Sequence, residues 1–223
     1  MARLARVIVP NIPHHVTQRG NGGARVFFSD DDYAYYLKLL KAACVSEKLR
    51  CLGYVLMPNH VHLILVPRDE AGLSKAMSAV HRAYAGHLNA RRKKTGHFWQ
   101  GRFACVAMDG QHALSALRYV LLNPVRAQLC SKPEQWDWSS AKAYLKGRDD
   151  GLTDRKDMLA SCPDIKSLLI ESPEQDMAEM LLRRAETIGR PLGSAAFLSK
   201  LERKLDRPLK AAKRGPKSAV RTN

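Results

Sequence analysis

The spacing of apolar positions changes several times along the chain, and each change marks a predicted element. His14-His15-Val16-Thr17-Gln18-Arg19 has strand propensity and runs into Gly20-Asn21-Gly22-Gly23, a loop composition suited to close approach of a ligand. Ser29 with Asp32 three residues on resembles a capping box, and Tyr33, Tyr36, Leu37, Leu40 and Cys44 follow at helical spacing. Cys51 to Met57 and His60 to Val66 are β-rich apolar runs separated by Pro58-Asn59, whose proline presets the first corner of a tight turn; they predict an antiparallel hairpin. Leu73, Met77, Val80, Tyr84 and Leu88 mark a second helix that runs into Arg91-Arg92-Lys93-Lys94. Phe103 to Met108 reads as a further strand, and Asp109 is placed to cap a third helix that should stop before Pro124.

The resulting order, β, α, β, β, α, β, α, predicts an α+β fold: an antiparallel or mixed sheet with helices packed on it, of the ferredoxin-like kind. After Gly147 the pattern shifts. Arg148-Asp149-Asp150-Gly151 has linker character, helix-rich sequence runs from about Ile165 to Leu205, and the tail from Lys210 to Asn223 is basic and expected to be disordered alone. The organisation expected is one domain over residues 1–147 and a helical, basic C-terminal extension over 148–223.

With 223 residues, 45% of them apolar, the chain can bury a real core. No apolar run is long enough for a bilayer span, so no membrane partner and a cytoplasmic location are expected. The five cysteines, Cys44, Cys51, Cys105, Cys130 and Cys162, are scattered and read as reduced thiols. The net charge of +16 is concentrated. Residues 71 to 108 hold seven Lys/Arg and no acid, residues 183 to 223 hold twelve against three acids, and together these segments carry the whole excess. Two basic patches on an otherwise balanced body are the footprint of a polyphosphate partner.

Candidate chemistry sits in two places. Side chains alternate along a strand, so His60 and His62 project from one face, ~7 Å apart along the backbone, while Val61, Leu63 and Leu65 line the other. On the third helix, Leu114, Leu117 and Leu121 form one stripe, and Gln111, Ser115, Tyr119 and Asn123 form a ladder on nearly the opposite side. Tyr119 is thereby set apart from the leucines. Asn123, one turn on, offers an amide oxygen that could join the two imidazoles around a cation, and a tyrosine needs such a charge nearby to act as a nucleophile. Arg118 faces about 100° away from Tyr119 and is left unassigned. Phe98 and Trp99 beside Arg102 could stack an unpaired base, and His81, His87, His97 and His112 are weaker phosphate candidates.

The stretch Gly53-Tyr54-Val55-Leu56-Met57-Pro58-Asn59-His60-Val61-His62-Leu63, with Tyr119 to Asn123 followed by Pro124-Val125-Arg126, resembles the single-tyrosine HUH transposases. His15 to Asn21 and Phe98-Trp99-Gln100-Gly101-Arg102-Phe103 resemble the same family, so the likeness spans residues 14 to about 145. Asn rather than Gln four residues beyond the tyrosine, together with the basic extension, is similar to the REP-associated branch. The resemblance implies an HUH endonuclease fold and a transposase that cleaves and rejoins single-stranded or hairpin DNA through a 5′-phosphotyrosine. It assigns Tyr119 as nucleophile and His60, His62 and Asn123 as ligands to Mg2+ or Mn2+. Arg19, Arg91, Arg92, Lys93, Lys94, Phe98, Trp99 and Arg102 are the expected DNA contacts, on a monomer or homodimer. The alternative is a non-catalytic protein that binds palindromic repeats.

Overall fold

The computed structural model describes residues 6–170 and 173–209, with only the backbone described at 173–176 and 179. The basic tail from Lys210, expected to be disordered alone, lies outside the described residues. Four strands, β1 (His14–Arg19), β2 (Arg50–Met57), β3 (His60–Val66) and β4 (Ala104–Ala107), form one sheet in the order β2-β3-β1-β4. Every neighbouring pair is antiparallel, which settles the choice between an antiparallel and a mixed sheet. Helices α1 (Asp30–Ser46) and α2 (Gly72–Arg91) cover one face, and α3 (Gly110–Arg126) covers the other.

The alternation read in β3 decides which side chain serves which face. Val61, Leu63 and Leu65 join Val16 and Tyr54 in a core with Tyr36, Leu40, Leu73 and Met77. Ile64 and Val66 point the other way, into a second core with Val55, Val106, Leu114, Leu117 and Leu121. Helix α3 comes close to β2 at Gly53, where an added Cβ would lie 2.9 Å from the Leu117 side chain. The start signals act as read: Asp109 accepts the His112 backbone N–H at 3.0 Å, and Asp32 accepts those of Phe28 and Ser29 at 2.8 and 3.1 Å.

One expectation is corrected. Helix α3 does not stop before Pro124 but carries it and ends at Arg126. Pro124 takes its own N–H out of the ladder and crowds the carbonyl one turn back, yet the helix continues, with the Ala127 N–H reaching the Asn123 carbonyl at 3.0 Å and Pro124 itself buried. The glycine-rich loop after β1 folds on itself as a 3-10 turn, Asn21–Gly23, where Gly22 and Gly23 have φ of 60° and 74°. A Cβ on Gly20 would lie 2.2 Å from the Ala24 carbonyl oxygen, so glycine there serves a close approach of the chain to itself.

Beyond α3 the chain runs through α4 (Ala141–Lys146), α5 (Lys156–Ser161), α6 (Ile165–Leu168), α7 (Pro173–Ile188) and α8 (Ala195–Leu205). On its way it covers both edges of the sheet. On β2, the Leu56 N–H donates to the Trp138 carbonyl at 2.9 Å, and the Cys51 carbonyl accepts from the Asp154 N–H at 2.8 Å. On the β4 side, the Leu192 N–H donates to the Ala107 carbonyl at 2.8 Å. Unpaired strand edges invite association, and here the chain's own continuation pairs them. Helix α7 then lies across α3 and β4, so the Tyr119 and Asn123 end of the ladder is buried while Gln111 at its start stays exposed.

Buried histidines make the fold acid-sensitive. His14 accepts the Val9 N–H at Nε2 and contacts the Ile12 carbonyl through Nδ1 at 2.7 Å, and burial pulls its pKa down to about 4. His81 lies 3.0 Å from the Tyr36 hydroxyl, and burial pulls it to about 3. The unfolded chain takes up these protons near 6.5 and the folded chain only near 4 and below, so the unfolded state holds more protons in between. Stability is therefore complete above pH 6.5 and falls as pH drops toward 4, by about 3 kcal/mol from His14 alone. Urea denaturation at pH 7.5, 5.5 and 4.5 checks this; a midpoint that stays constant contradicts it.

Arg91 is tied into the same half of the molecule. Its guanidinium meets the fully buried Asp32 carboxylate with two contacts, at 2.5 and 2.9 Å, joining the end of α2 to the start of α1. Burial pushes the Asp32 carboxyl up, but Arg91 and the backbone N–H groups outweigh it and hold the pKa below the usual carboxylate value. Arg91→Ala should cost about 1 to 3 kcal/mol in urea denaturation by leaving that carboxylate without its cation; an unchanged midpoint would show the pair to be dispensable.

Candidate active site

The register between β1 and β3 places Arg19 opposite His60, Thr17 opposite His62, and His15 opposite Ile64. Paired residues in an antiparallel ladder project to the same face, so His15, Thr17, Arg19, His60 and His62 share the face covered by α3 and α7. There Thr17, Arg19, His60 and His62 open on a cavity of about 490 Å3, lined also by Gln18, Tyr119, Asn123, Arg126, Arg183 and Glu186. His60, His62, Tyr119, Asn123 and Arg19 are thereby brought together from three separate elements.

The His60 and His62 rings have centroids 4.7 Å apart, and the Tyr119 ring meets His62 edge to face at 5.1 Å. Each histidine has one nitrogen engaged. His60 Nδ1 lies 2.6 Å from Asn59 Oδ1, and His62 Nδ1 lies 3.1 Å from His15 Nε2. His62 Nε2 is buried with no hydrogen-bond partner among the described residues. Burial, with Arg19 adding to it, pulls His60 down to about 4, and burial holds His62 well below its ordinary value. Neutral imidazoles with an uncommitted nitrogen are what a cation site requires, so the residues fit a divalent ion. His15, His62 and Glu186 also bring ligand atoms within 4.8 Å of one another.

Tyr119 is only 6% exposed. Burial and the Glu186 charge raise its pKa, opposed by the Arg183 cation and by hydrogen bonding from Asn123 and Arg183. The Arg183 guanidinium lies 5.4 Å from the Tyr119 ring centroid. Three arginines, Arg19, Arg126 and Arg183, line the cavity against Glu186, the one acid among the described lining residues. That balance suits an anion of the size of a phosphodiester.

The remaining candidates lie elsewhere. Besides the Asp32 bond of Arg91, the Arg92 guanidinium lies over the Phe28 ring at 3.7 Å, and Lys93 and Lys94 are exposed beyond the end of α2. Phe98 and Trp99 pack against the α1/α2 core, and the Trp99 indole donates to the His81 carbonyl at 2.9 Å. They flank a separate hollow of about 550 Å3 shared with Arg82 and His97. The strand-like run through Trp99 pairs with Gly20, so this hollow adjoins the Arg19 end of β1. Arg102 is exposed. Of the weaker histidines, His112 is held 2.7 Å from Asp109, and His87 packs on the Tyr35 ring at 4.5 Å. Arg118 is fully buried and reaches the Ile170 carbonyl at 3.4 Å.

Sequence reasoning gave no role to His15, Arg183 and Glu186. His15 was visible in principle, because alternation puts it on the face of Thr17 and Arg19 once β1 is paired with β3. Arg183 and Glu186, three apart on one helix face, carried no signal for a site whose other members lie at least 57 residues away.

No curated protein matches the chain at a significant level. Among solved structures, a REP-associated tyrosine transposase bound to a REP hairpin aligns with TM-score 0.57 and 16% identity over 70% of this chain and 90% of that one, a likeness of fold. A Deinococcus radiodurans R1 protein, solved as a candidate transposase, aligns at TM-score 0.38 and 16% identity over 57% of this chain and 92% of that one, too distant to bear on the argument. The profile of the IS200-like transposases matches residues 9–122, just over half of the sequence and every strand of the sheet, and the chain belongs to that family.

Proposed function

We propose that the protein is a metal-dependent strand transferase that cleaves and rejoins single-stranded or hairpin-forming DNA through Tyr119, in the cytoplasm and within the REP-associated branch of its family. The observation that carries this reading is the meeting of Tyr119 with His62 at 5.1 Å in an arginine-lined cavity. The branch assignment draws support from the solved relative of similar fold, which is bound to a REP hairpin, and from Asn123 four residues after the tyrosine.

In the reaction, Tyr119 Oη forms a bond to the scissile phosphorus while the bond from phosphorus to the 3′ oxygen breaks. The phenol gives up its proton, the leaving oxygen takes one up as a 3′-OH, and a 5′-phosphotyrosine remains. Because one phosphodiester replaces another, the reverse attack rejoins the strand without ATP. Arg183 and Asn123 favour the ionised phenol, and Arg19 and Arg126 are placed to hold the phosphate against it. A divalent ion, Mg2+ or Mn2+, held by His60, His62 and Asn123 would add positive charge beside the phenol and the phosphate. Imidazole ligands suit later metals better than Mg2+, which makes Mn2+ the first choice in solution.

Incubation with labelled hairpin oligonucleotides and Mn2+, followed by a denaturing gel and mass spectrometry, should give a DNA adduct on Tyr119. Tyr119→Phe should bind the same DNA and form no adduct, and Asn123→Ala should need more Mn2+ for the same cleavage. Adduct formation by Tyr119→Phe would remove the tyrosine from the mechanism, whereas binding without any adduct in the parent protein would favour a repeat-binding protein.

The exposed Lys93 and Lys94 are the cleanest test of the basic patch. If each neutralises a phosphate, Lys93→Ala with Lys94→Ala should lower the slope of log affinity against log salt by about 0.7 per residue on single strands and leave stability within ~0.5 kcal/mol. A fluorescence-anisotropy titration at several salt concentrations reads the slope, and an unchanged value places the DNA elsewhere.

A further inference from the structure

We propose that Glu186 and His15 are positioning residues that fix the hydrogen on His62 and so decide which of its nitrogens faces the cation; this rests on the reading of His62 as a ligand. The argument is one of donor and acceptor parity. The facing edges of His15 and His62, Nε2 and Nδ1, are 3.1 Å apart with ring planes parallel within 2° and centroids at 5.1 Å, so the rings meet edge to edge. One hydrogen lies between those two nitrogens, and either ring could own it. On the far side of His15, Nδ1 lies 3.1 Å from Glu186 Oε1 as an ion-pair contact, and both atoms are buried with no hydrogen-bond partner among the described residues, so each is the nearest group the other has to answer.

A carboxylate can only accept. His15 therefore carries its hydrogen on Nδ1, toward Glu186. A neutral imidazole has a single N–H, so His15 Nε2 is an acceptor, and the shared hydrogen belongs to His62 Nδ1. His62 Nε2 is then left with its lone pair, and this is the nitrogen that is buried and unpartnered beside the cavity. His60 is set the same way by a different partner, since Nδ1–H donating to Asn59 Oδ1 at 2.6 Å leaves its Nε2 as the open nitrogen. The two histidines that the sequence offers as a pair are oriented by unrelated devices: a neighbouring amide for His60, and for His62 a chain that crosses β1 and ends on α7.

Its consequence is that the helix after residue 170, outside the matched family region of residues 9–122, tunes a ligand on β3. Outer partners of this kind usually change metal affinity by about 10- to 100-fold when removed.

The test uses the full-length protein with histidine labelled in 15N. In metal-free, DNA-free protein, long-range 1H–15N spectra should show His62 and His15 each with hydrogen on Nδ1. Glu186→Leu should convert His62 to a mixture of tautomers and weaken Mn2+ binding, read from the free-ion electron paramagnetic resonance signal, by about 10- to 100-fold. Glu186→Gln, which keeps an oxygen acceptor, should restore the tautomer and most of the affinity. With Zn2+ as a diamagnetic stand-in, the shift should fall on Nε2 of His62 and not on His15. Hydrogen on His62 Nε2 in the parent protein, a Glu186→Leu variant with parental tautomer and affinity, or a Zn2+ shift on a His15 nitrogen would each overturn the proposal, the last by making His15 itself a ligand. Because the tautomers are read without DNA, failure to form a tyrosine adduct would sink the transferase reading and leave this result standing, and the reverse also holds.

Discussion

The pairing of β1 with β3 is the constraint on which the site depends. Its register sets Thr17 opposite His62 and Arg19 opposite His60, and a slip of one residue would send His15, Thr17 and Arg19 to the α1/α2 face. Slippage is resisted by apolar packing on both faces of β3, where Val61, Leu63 and Leu65 fill one core and Ile64 and Val66 the other. Both strands sit at the centre of the sheet, flanked by β2 and β4, so the polar face near the cavity is held by hydrogen bonds on every side. The polar cluster of histidines is thus fixed by hydrophobic residues that take no part in it.

That division explains what the sequence could and could not disclose. The hairpin around Pro58-Asn59, the two helices over it and the capping residues Ser29, Asp32 and Asp109 are local features, written in the period of apolar positions and in turn chemistry, and they appear where they were read. The histidine pair and the Tyr119/Asn123 turn are likewise local, and the fold joins them. The stripe argument on α3 reached Tyr119 by a route that the packing modifies. Tyr119 does lie off the leucine stripe, yet it is buried, because a helix more than 50 residues downstream covers that side. An amphipathic reading assumes one partner for each helix, and α3 has two.

The same reason hid His15, Arg183 and Glu186. No period or spacing relates position 15 to position 186, and the contact exists only because the chain turns back after α3. The isolated acid of a basic segment was counted as part of a charge balance rather than as a side chain with a place. Arg91 and Arg92 carry a second kind of information that the sequence did not disclose: in the run of four cations read as a phosphate patch, two are also engaged by Asp32 and Phe28, which a one-dimensional charge count cannot show.

The return path of the chain has a further physical consequence for how the extension is understood. Residues 136 to 154 complete the hydrogen bonding of β2, Leu192 completes that of β4, and between them α7 brings Arg183 and Glu186 to the cavity. Removing everything after residue 147 would therefore do three things at once. It would expose the β4 edge, uncover the Tyr119 side of α3, and take a cation and an anion away from Tyr119. The last pair act in opposite senses on the phenol, since Glu186 opposes its ionisation and Arg183 favours it. A truncated protein that cleaved faster or slower would report a sum of these effects rather than the role of the segment. Single substitutions that leave the backbone pairing intact separate the edge, the cover and the charges, and the opposed signs of Arg183 and Glu186 make that separation measurable.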